Sequence, residues 1–246
     1  MEQRVLIDYL TISFRYAFTG FGYSLFRLFG EPQIDPLTGL LSNPEWEPCR
    51  GNPLKLENLI GGWYYKGIKL WFSRDMCLLD CSGKGCRTLE DEFDWNWEVF
   101  FDGLKHDLIT RPTPRDNPLV HISRLDVTCD YLNSNDITIE KLNSCIKSGR
   151  YVCKSQRFLT GIGSDEKWIY FGSPTSERRL RIYDKAMQMG TTEPWLRFEF
   201  QLRNKSALSF LLNYYDNHNI PENYYGVMHD FLRFTKNAQT DTIMTA

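Results

Sequence analysis

The 246-residue chain is expected to be an α+β protein: a mainly antiparallel sheet with helices on one face, two similar halves packed together. Three observations lead there. Short runs rich in β-branched and aromatic residues recur along the chain. Each half pairs such runs with a stretch of helical periodicity. In the second half, three runs alternate strictly between polar and apolar residues, as a sheet with one covered face requires. An aromatic content of 15 % excludes a disordered chain. The halves are placed at 1–117 and 118–234, the second carrying the chemistry, with a polar tail at 235–246.

In the first half, residues 5–14 (VLIDYLTISF) read as a strand, in which Asp8 is out of place unless it pairs or faces a site. Residues 31–58 are rich in Pro, Asn and Gly and read as a long connection. GWYYKGIKLWFS and DMCLLDCSG are the next two strand candidates. The second runs into SGKGCR, read as a glycine turn whose amides can approach an anion. It lacks the GxxxxGK[ST] spacing of a nucleotide-binding loop. Residues 91–107 put acids in the first turn and apolar residues at three- and four-residue steps, which predicts one amphipathic helix. RPTPRDNP closes this half.

The second half opens with the strand LVHISRLDVTCDY and the helix TIEKLNSCIKSG. Strands at about 151–160, 167–172 and 179–185 follow, then WLRFEFQLR and the helix NKSALSFLLNYYDNH. Ile220 to about Phe234 reads as helical and aromatic.

The net charge of −2 excludes a generically basic nucleic-acid coat. From Arg178 to Lys205, however, seven Lys/Arg stand against three Asp/Glu, which suits a focused phosphate site. Seven cysteines without CxxC spacing argue against a zinc site or a disulfide scaffold and fit small hydrophobes in a reducing cytoplasm. No leader-like apolar segment and no 18-residue apolar run occur, so a soluble protein with no membrane partner is expected. The four histidines form no HxH or HxxxH pair, and no nucleophile elbow supports Ser-His-Asp chemistry.

Read as a strand, RRLRIYDK puts Arg179, Arg181, Tyr183 and Lys185 on one face and Leu180 and Ile182 on the other. Three cations around one tyrosine would favour phenolate and attract phosphate, which a tyrosine attacking a phosphodiester needs. In RLDVTCDY, Arg124, Asp126, Thr128 and Asp130 share a face; in WLRFEFQLR, Arg197, Glu199, Gln201 and Arg203 do. Carboxylates gathered from separate strands are costly unless cations offset them. Two arrangements answer that need: a lattice of arginine salt bridges, or a hard divalent ion on Asp126 and Glu199, with Asp80 a weaker third ligand.

Together, IDYLTISF, LLDCSGKGCRTLE, RLDVTCDY, YFGSPTSERRLRIYDKA and WLRFEFQLRNKSA resemble, in order and spacing, the Rep_trans-type replication initiators. These serve small rolling-circle plasmids of Gram-positive bacteria, with relatives in phages and among the relaxases of integrative conjugative elements. The resemblance covers roughly residues 5–215. It implies a metal-dependent origin nickase and strand transferase that forms a 5′-phosphotyrosyl link and leaves a 3′-OH. Carried over residue by residue, Tyr183 is the nucleophile, assisted by Arg181 and Lys185. Asp126 and Glu199, with Asp80, would ligate Mg²⁺ or Mn²⁺, and Arg179, Arg197 and Arg124 would hold DNA phosphate. The partners implied are origin DNA, single-stranded or as an extruded hairpin, a host helicase and a second copy of the chain. Two other readings stay open: a conjugative relaxase nicking a transfer origin, and a non-catalytic single-strand-binding module.

Overall fold

The computed structural model describes residues 2–15, 46–51, 59–73, 76–110, 120–217 and 219–236. Most of the expected connection at 31–58, the RPTPRDNP turn and most of the polar tail lie outside them. Twelve strands and six helices occur among the described residues. Ten strands hydrogen-bond in the order β2-β3-β4-β5-β1-β6-β11-β10-β9-β8, and β7 pairs with β12 in a small second sheet. Every pairing whose register is defined is antiparallel.

The chain divides into two compact units. One holds residues 7–126 and 203–216; the other holds 1–6, 127–202 and 217–246. The division runs through the first and sixth strands, so it falls nine residues beyond the expected 117/118 boundary, and a helix from late in the chain joins the first unit.

In the unit of residues 7–126, β1 (Glu2–Arg15) pairs with β5 (Met76–Cys81), which pairs with β4 (Ile68–Ser73). The run GWYYKGIKLWFS, expected as one strand, is a hairpin of β3 (Leu59–Tyr65) and β4, with β2 (Glu47–Pro48) on its outer edge. Both turn residues, Lys66 and Gly67, have positive φ, as a two-residue hairpin turn demands.

SGKGCR is not a loop open to an anion but the start of helix α1 (Gly83–Phe93). Ser82 caps it by accepting from the Gly85 amide, and the Gly67 carbonyl takes the Ser82 amide and hydroxyl. Gly85 packs so closely on this hairpin that a Cβ would overlap the Gly67 carbonyl. Gly85→Ala is therefore expected to cost about 1–3 kcal/mol, read from urea unfolding. Asp8 is explained at the same place: a Cβ on Gly83 would lie 2.8 Å from its carboxylate, so the acid sits against the positive end of the helix.

The single helix expected at 91–107 is two. Asp94 adopts φ 50°, ψ 40° and caps α1, and α2 (Trp97–Thr110) begins three residues later. Rings of Trp95, Trp97, Phe100 and Phe101 pack around that break.

The other unit takes up β6 (Val120–Leu132) from Val127 onward, α3 (Ile139–Lys147) and the strands β7 (Tyr151–Cys153), β8 (Phe158–Ile162), β9 (Lys167–Phe171), β10 (Arg178–Asp184) and β11 (Trp195–Arg203). Lys185 is not in the strand; it opens a short helix, α4 (Lys185–Met189), capped by Asp184. Helix α5 (Asn204–Asn217) follows, almost all of it in the first unit. Helix α6 (Ile220–Phe231) ends in a strand the sequence did not announce, β12 (Leu232–Phe234).

Alternation on β10 and β11 is as expected on the apolar side. Leu180, Ile182, Phe200 and Leu202 are at most 1 % exposed. Helix α3 packs on β9 and β10, and α6 covers β11 through Phe231 against Phe200 and through the Tyr224 hydroxyl, which donates to the Phe198 carbonyl. Cys77, Cys81, Cys86 and Cys129 are buried, and burial raises their thiol pKa values, in keeping with a hydrophobe's role. No helix among the described residues is long and apolar enough to cross a membrane.

Candidate active site

Tyr183 projects from β10 on the polar face, opposite Arg197 of β11 on one side and Trp168 of β9 on the other. Its hydroxyl donates to Glu199 Oε2 at 2.9 Å. The other oxygen of Glu199 accepts from Arg181 Nη1 at 2.9 Å and from Gln201 Nε2 at 3.0 Å. Arg181 also lies 5.3 Å from the centroid of the Tyr183 ring, and Lys185 Nζ 5.9 Å from it while donating to Gln188. Arg179 reaches Gln201 Oε1 at 3.5 Å. Tyr183, Arg181, Glu199 and Arg179 thus form one connected group.

This face is more buried than alternation implies. Tyr183 is 9 % exposed and Glu199 4 %. The expected phenolate is accordingly not what the structure favours. Burial holds the Tyr183 pKa well above the ordinary phenol value, and the charge of Glu199 pushes it the same way. Arg197 and Arg181 oppose the shift without overcoming it. Burial also works against the charge on Arg181, but Glu199 and the flanking tyrosines outweigh it, so that guanidinium is held more firmly charged than usual. Glu199→Gln is expected to lower the Tyr183 pKa, because the carboxylate's share of the upward shift is lost while burial and the two arginines stay; NMR titration of isotope-labelled tyrosine checks the direction.

Arg197 is not a free phosphate ligand. At 5 % exposure it donates from Nε at 2.6 Å and from Nη2 at 2.8 Å to the two oxygens of Asp130, which is fully buried. Arg4 adds a third bond to Asp130 at 3.2 Å. Burial would raise the Asp130 pKa, but the hydrogen bonds and charge of Arg197 more than offset it, and the carboxyl is held below its usual range. Asp130 is the functional-face residue that sequence reasoning did not select. Its position four residues after Asp126 in RLDVTCD, on the same strand face, was the available signal.

Asp126, Arg124 and Asp80 belong to the unit of residues 7–126, where they build a cluster of their own. Arg124 grips Asp126 through Nε at 2.9 Å and through Nη2, and stacks 4.0 Å from the centroid of Tyr9. Asp80 accepts from Thr11 at 2.7 Å. Burial first, and the Asp80 charge and hydrogen bond next, push the Tyr9 pKa up to about 12. Of the expected metal ligands, Asp80 and Asp126 thus lie in one unit and Glu199 in the other. Among the described residues no three His, Cys, Asp or Glu side chains form a group able to hold a metal ion. The oxygens of Glu199, Asp130 and Asp126 are instead closed by arginines, tyrosine and glutamine, the salt-bridge arrangement. The donor chemistry suits a hard cation, but a Mg²⁺ or Mn²⁺ ion on any of these carboxylates would have to displace a partner already bound there.

The whole fold is similar to the solved rolling-circle replication initiator protein of Geobacillus stearothermophilus. The TM-score is 0.70 at 21 % identity, over 98 % of this chain and 90 % of that one. At sequence level, the model of the Rep_trans family, described as replication initiation factor, matches residues 120–245, the half that carries Tyr183, Glu199 and Arg197. The chain belongs to that family. No curated protein matches it.

Proposed function

We propose that this protein is a rolling-circle initiator that nicks single-stranded origin DNA by covalent transfer to Tyr183. The observation that carries the reading is the 2.9 Å hydrogen bond from the Tyr183 hydroxyl to Glu199, with Arg181 bound to the same carboxylate. A phenol this firmly protonated cannot attack unaided. It needs a base already in contact, within the reach of about 2.6–3.2 Å that proton transfer requires, and Glu199 is that base. As the Tyr183 oxygen bonds to phosphorus, its proton passes to Glu199. The bond from phosphorus to the 3′ oxygen breaks, and that oxygen leaves and takes a proton from solvent water to become the priming 3′-OH. Arg181 holds Glu199 in place before the strand arrives and then turns to the charge gathering on the phosphate oxygens. A Mg²⁺ or Mn²⁺ ion, implied by the family resemblance, has no ready ligand group among the described residues, so these steps are assigned to the chain's own residues.

Incubation with labelled single-stranded DNA tests the proposal: a detergent-resistant adduct should form and map to Tyr183 by peptide mass spectrometry. A conjugative relaxase would give the same adduct at a different origin, and neighbouring genes for replication or for secretion separate the two. The non-catalytic reading draws support from the arginine-closed carboxylates. Salt-sensitive binding without any adduct would establish it instead.

A further inference from the structure

We propose that Trp168 and Tyr170 form a stacking platform for one nucleobase of a single DNA strand beside Tyr183, an inference resting on the nicking reading above. The two rings leave β9 on the same face and stack with centroids 4.4 Å apart and planes 20° apart. In the β9–β10 register Trp168 stands opposite Tyr183, and Tyr170 opposite Arg181. The platform therefore shares the face of the nucleophile and adjoins it.

Stacked rings on a strand are ordinarily core, but these are not. The core residues of β9 are Ile169 and Phe171, which are fully buried and point the other way. Trp168 and Tyr170 remain half-buried, among cations. Arg179 and Arg181 lie 4.9 and 5.3 Å from the centroid of the Tyr170 ring.

The backbone makes room for the indole. Gly161 of β8 pairs with Trp168, and a Cβ there would overlap the ring. Glycine weakens a strand interior, so one placed beneath an indole marks a close approach the fold requires.

With Arg181 and Tyr183, the two rings line a cavity of about 250 Å³. Asp165, Glu166 and Asp184 line it too, and their charge turns phosphate away. The base enters the cavity, and the sugar-phosphate chain stays with Arg179 and Arg181. Stacking tolerates any base, so the platform orients the strand without reading its sequence.

The test compares binding of a dT oligonucleotide with that of a base-free chain of equal length and charge, by fluorescence anisotropy. The intact protein should prefer dT by about tenfold or more, the scale of one stacked base. Trp168→Ala should bring the ratio close to one while leaving affinity for the base-free chain unchanged. Gly161→Val, which drives the indole from its slot, should do the same with Trp168 still present. Trp168→Phe should keep most of the preference. If Trp168→Ala and Gly161→Val retain the full ratio, the platform is wrong. Should that happen while the Tyr183 adduct still forms, the nicking reading survives alone; a collapsed ratio without any adduct leaves the platform and removes the nicking.

Discussion

Tyr183→Phe is expected to abolish the covalent protein–DNA adduct, lowering nicking by about a thousandfold or more, the scale of losing a nucleophile. Single-strand affinity should change little, because Arg179 and Arg181 remain. The substitution removes one hydrogen bond to a buried carboxylate, so stability should fall by about 1–3 kcal/mol. Glu199 keeps Arg181 and Gln201 and is not left bare. The variant should therefore stay folded, and unfolding measured on the same preparation separates loss of chemistry from loss of structure. Adduct formation by Tyr183→Phe at the wild-type rate would move the nucleophile elsewhere, with Tyr9 the first residue to test.

The largest effect on stability is expected at Asp130 and Arg197. The pair is buried, with side-chain exposures of 0 % and 7 %, and its two bonds at 2.6 and 2.8 Å are bidentate. Removing Asp130 takes the carboxylate from a buried guanidinium, and removing Arg197 leaves Asp130 only the longer contact from Arg4, so Arg197→Ala or Asp130→Ala should each cost about 3–5 kcal/mol in denaturant unfolding. Replacing both by apolar residues of similar volume should recover much of that loss. The pH dependence follows in sign. The folded pKa of Asp130 lies below its unfolded value, so the pair contributes fully above about pH 4 and is lost as acidification passes through the depressed value. Asp130→Asn should flatten the acid limb of the stability profile.

Strand faces were legible because period two survives any packing: β10 and β11 carry the alternation RRLRIYD and WLRFEFQLR spell out. Alternation also put Arg181 beside Tyr183, and Glu199 beside Arg197, on the polar face, while Lys185, expected there too, opens a helix instead. It could not show what lies across the sheet. The cations of RRLRIYDK suggested a phenolate, but the Glu199 carboxylate on the next strand and the burial of the ring decide the matter the other way. Arg197 and Asp130 cancel each other across 67 residues of chain, which no local pattern reveals. In the first half, one left-handed residue, Asp94, splits an otherwise continuous helical periodicity. Glycines that suggested an anion cradle in SGKG serve close packing, Gly85 against a hairpin and Gly83 against Asp8.

Arginines that already hold carboxylates give the protein an unusual response to ionic strength. A free arginine reaching a phosphate releases a condensed cation from the DNA, and each such release steepens the fall of affinity with salt by about one unit on a log–log plot. On the nicking reading, Arg181 would first have to let go of Glu199, and Arg124 of Asp126. Each abandoned carboxylate then draws a cation back from solution. Binding becomes ion exchange with little net release, so its salt slope should fall short of the number of arginines engaged. Glu199→Gln should steepen that slope by about one. Arginines held this way would keep their grip on a strand at salt concentrations that would strip an ordinary basic groove.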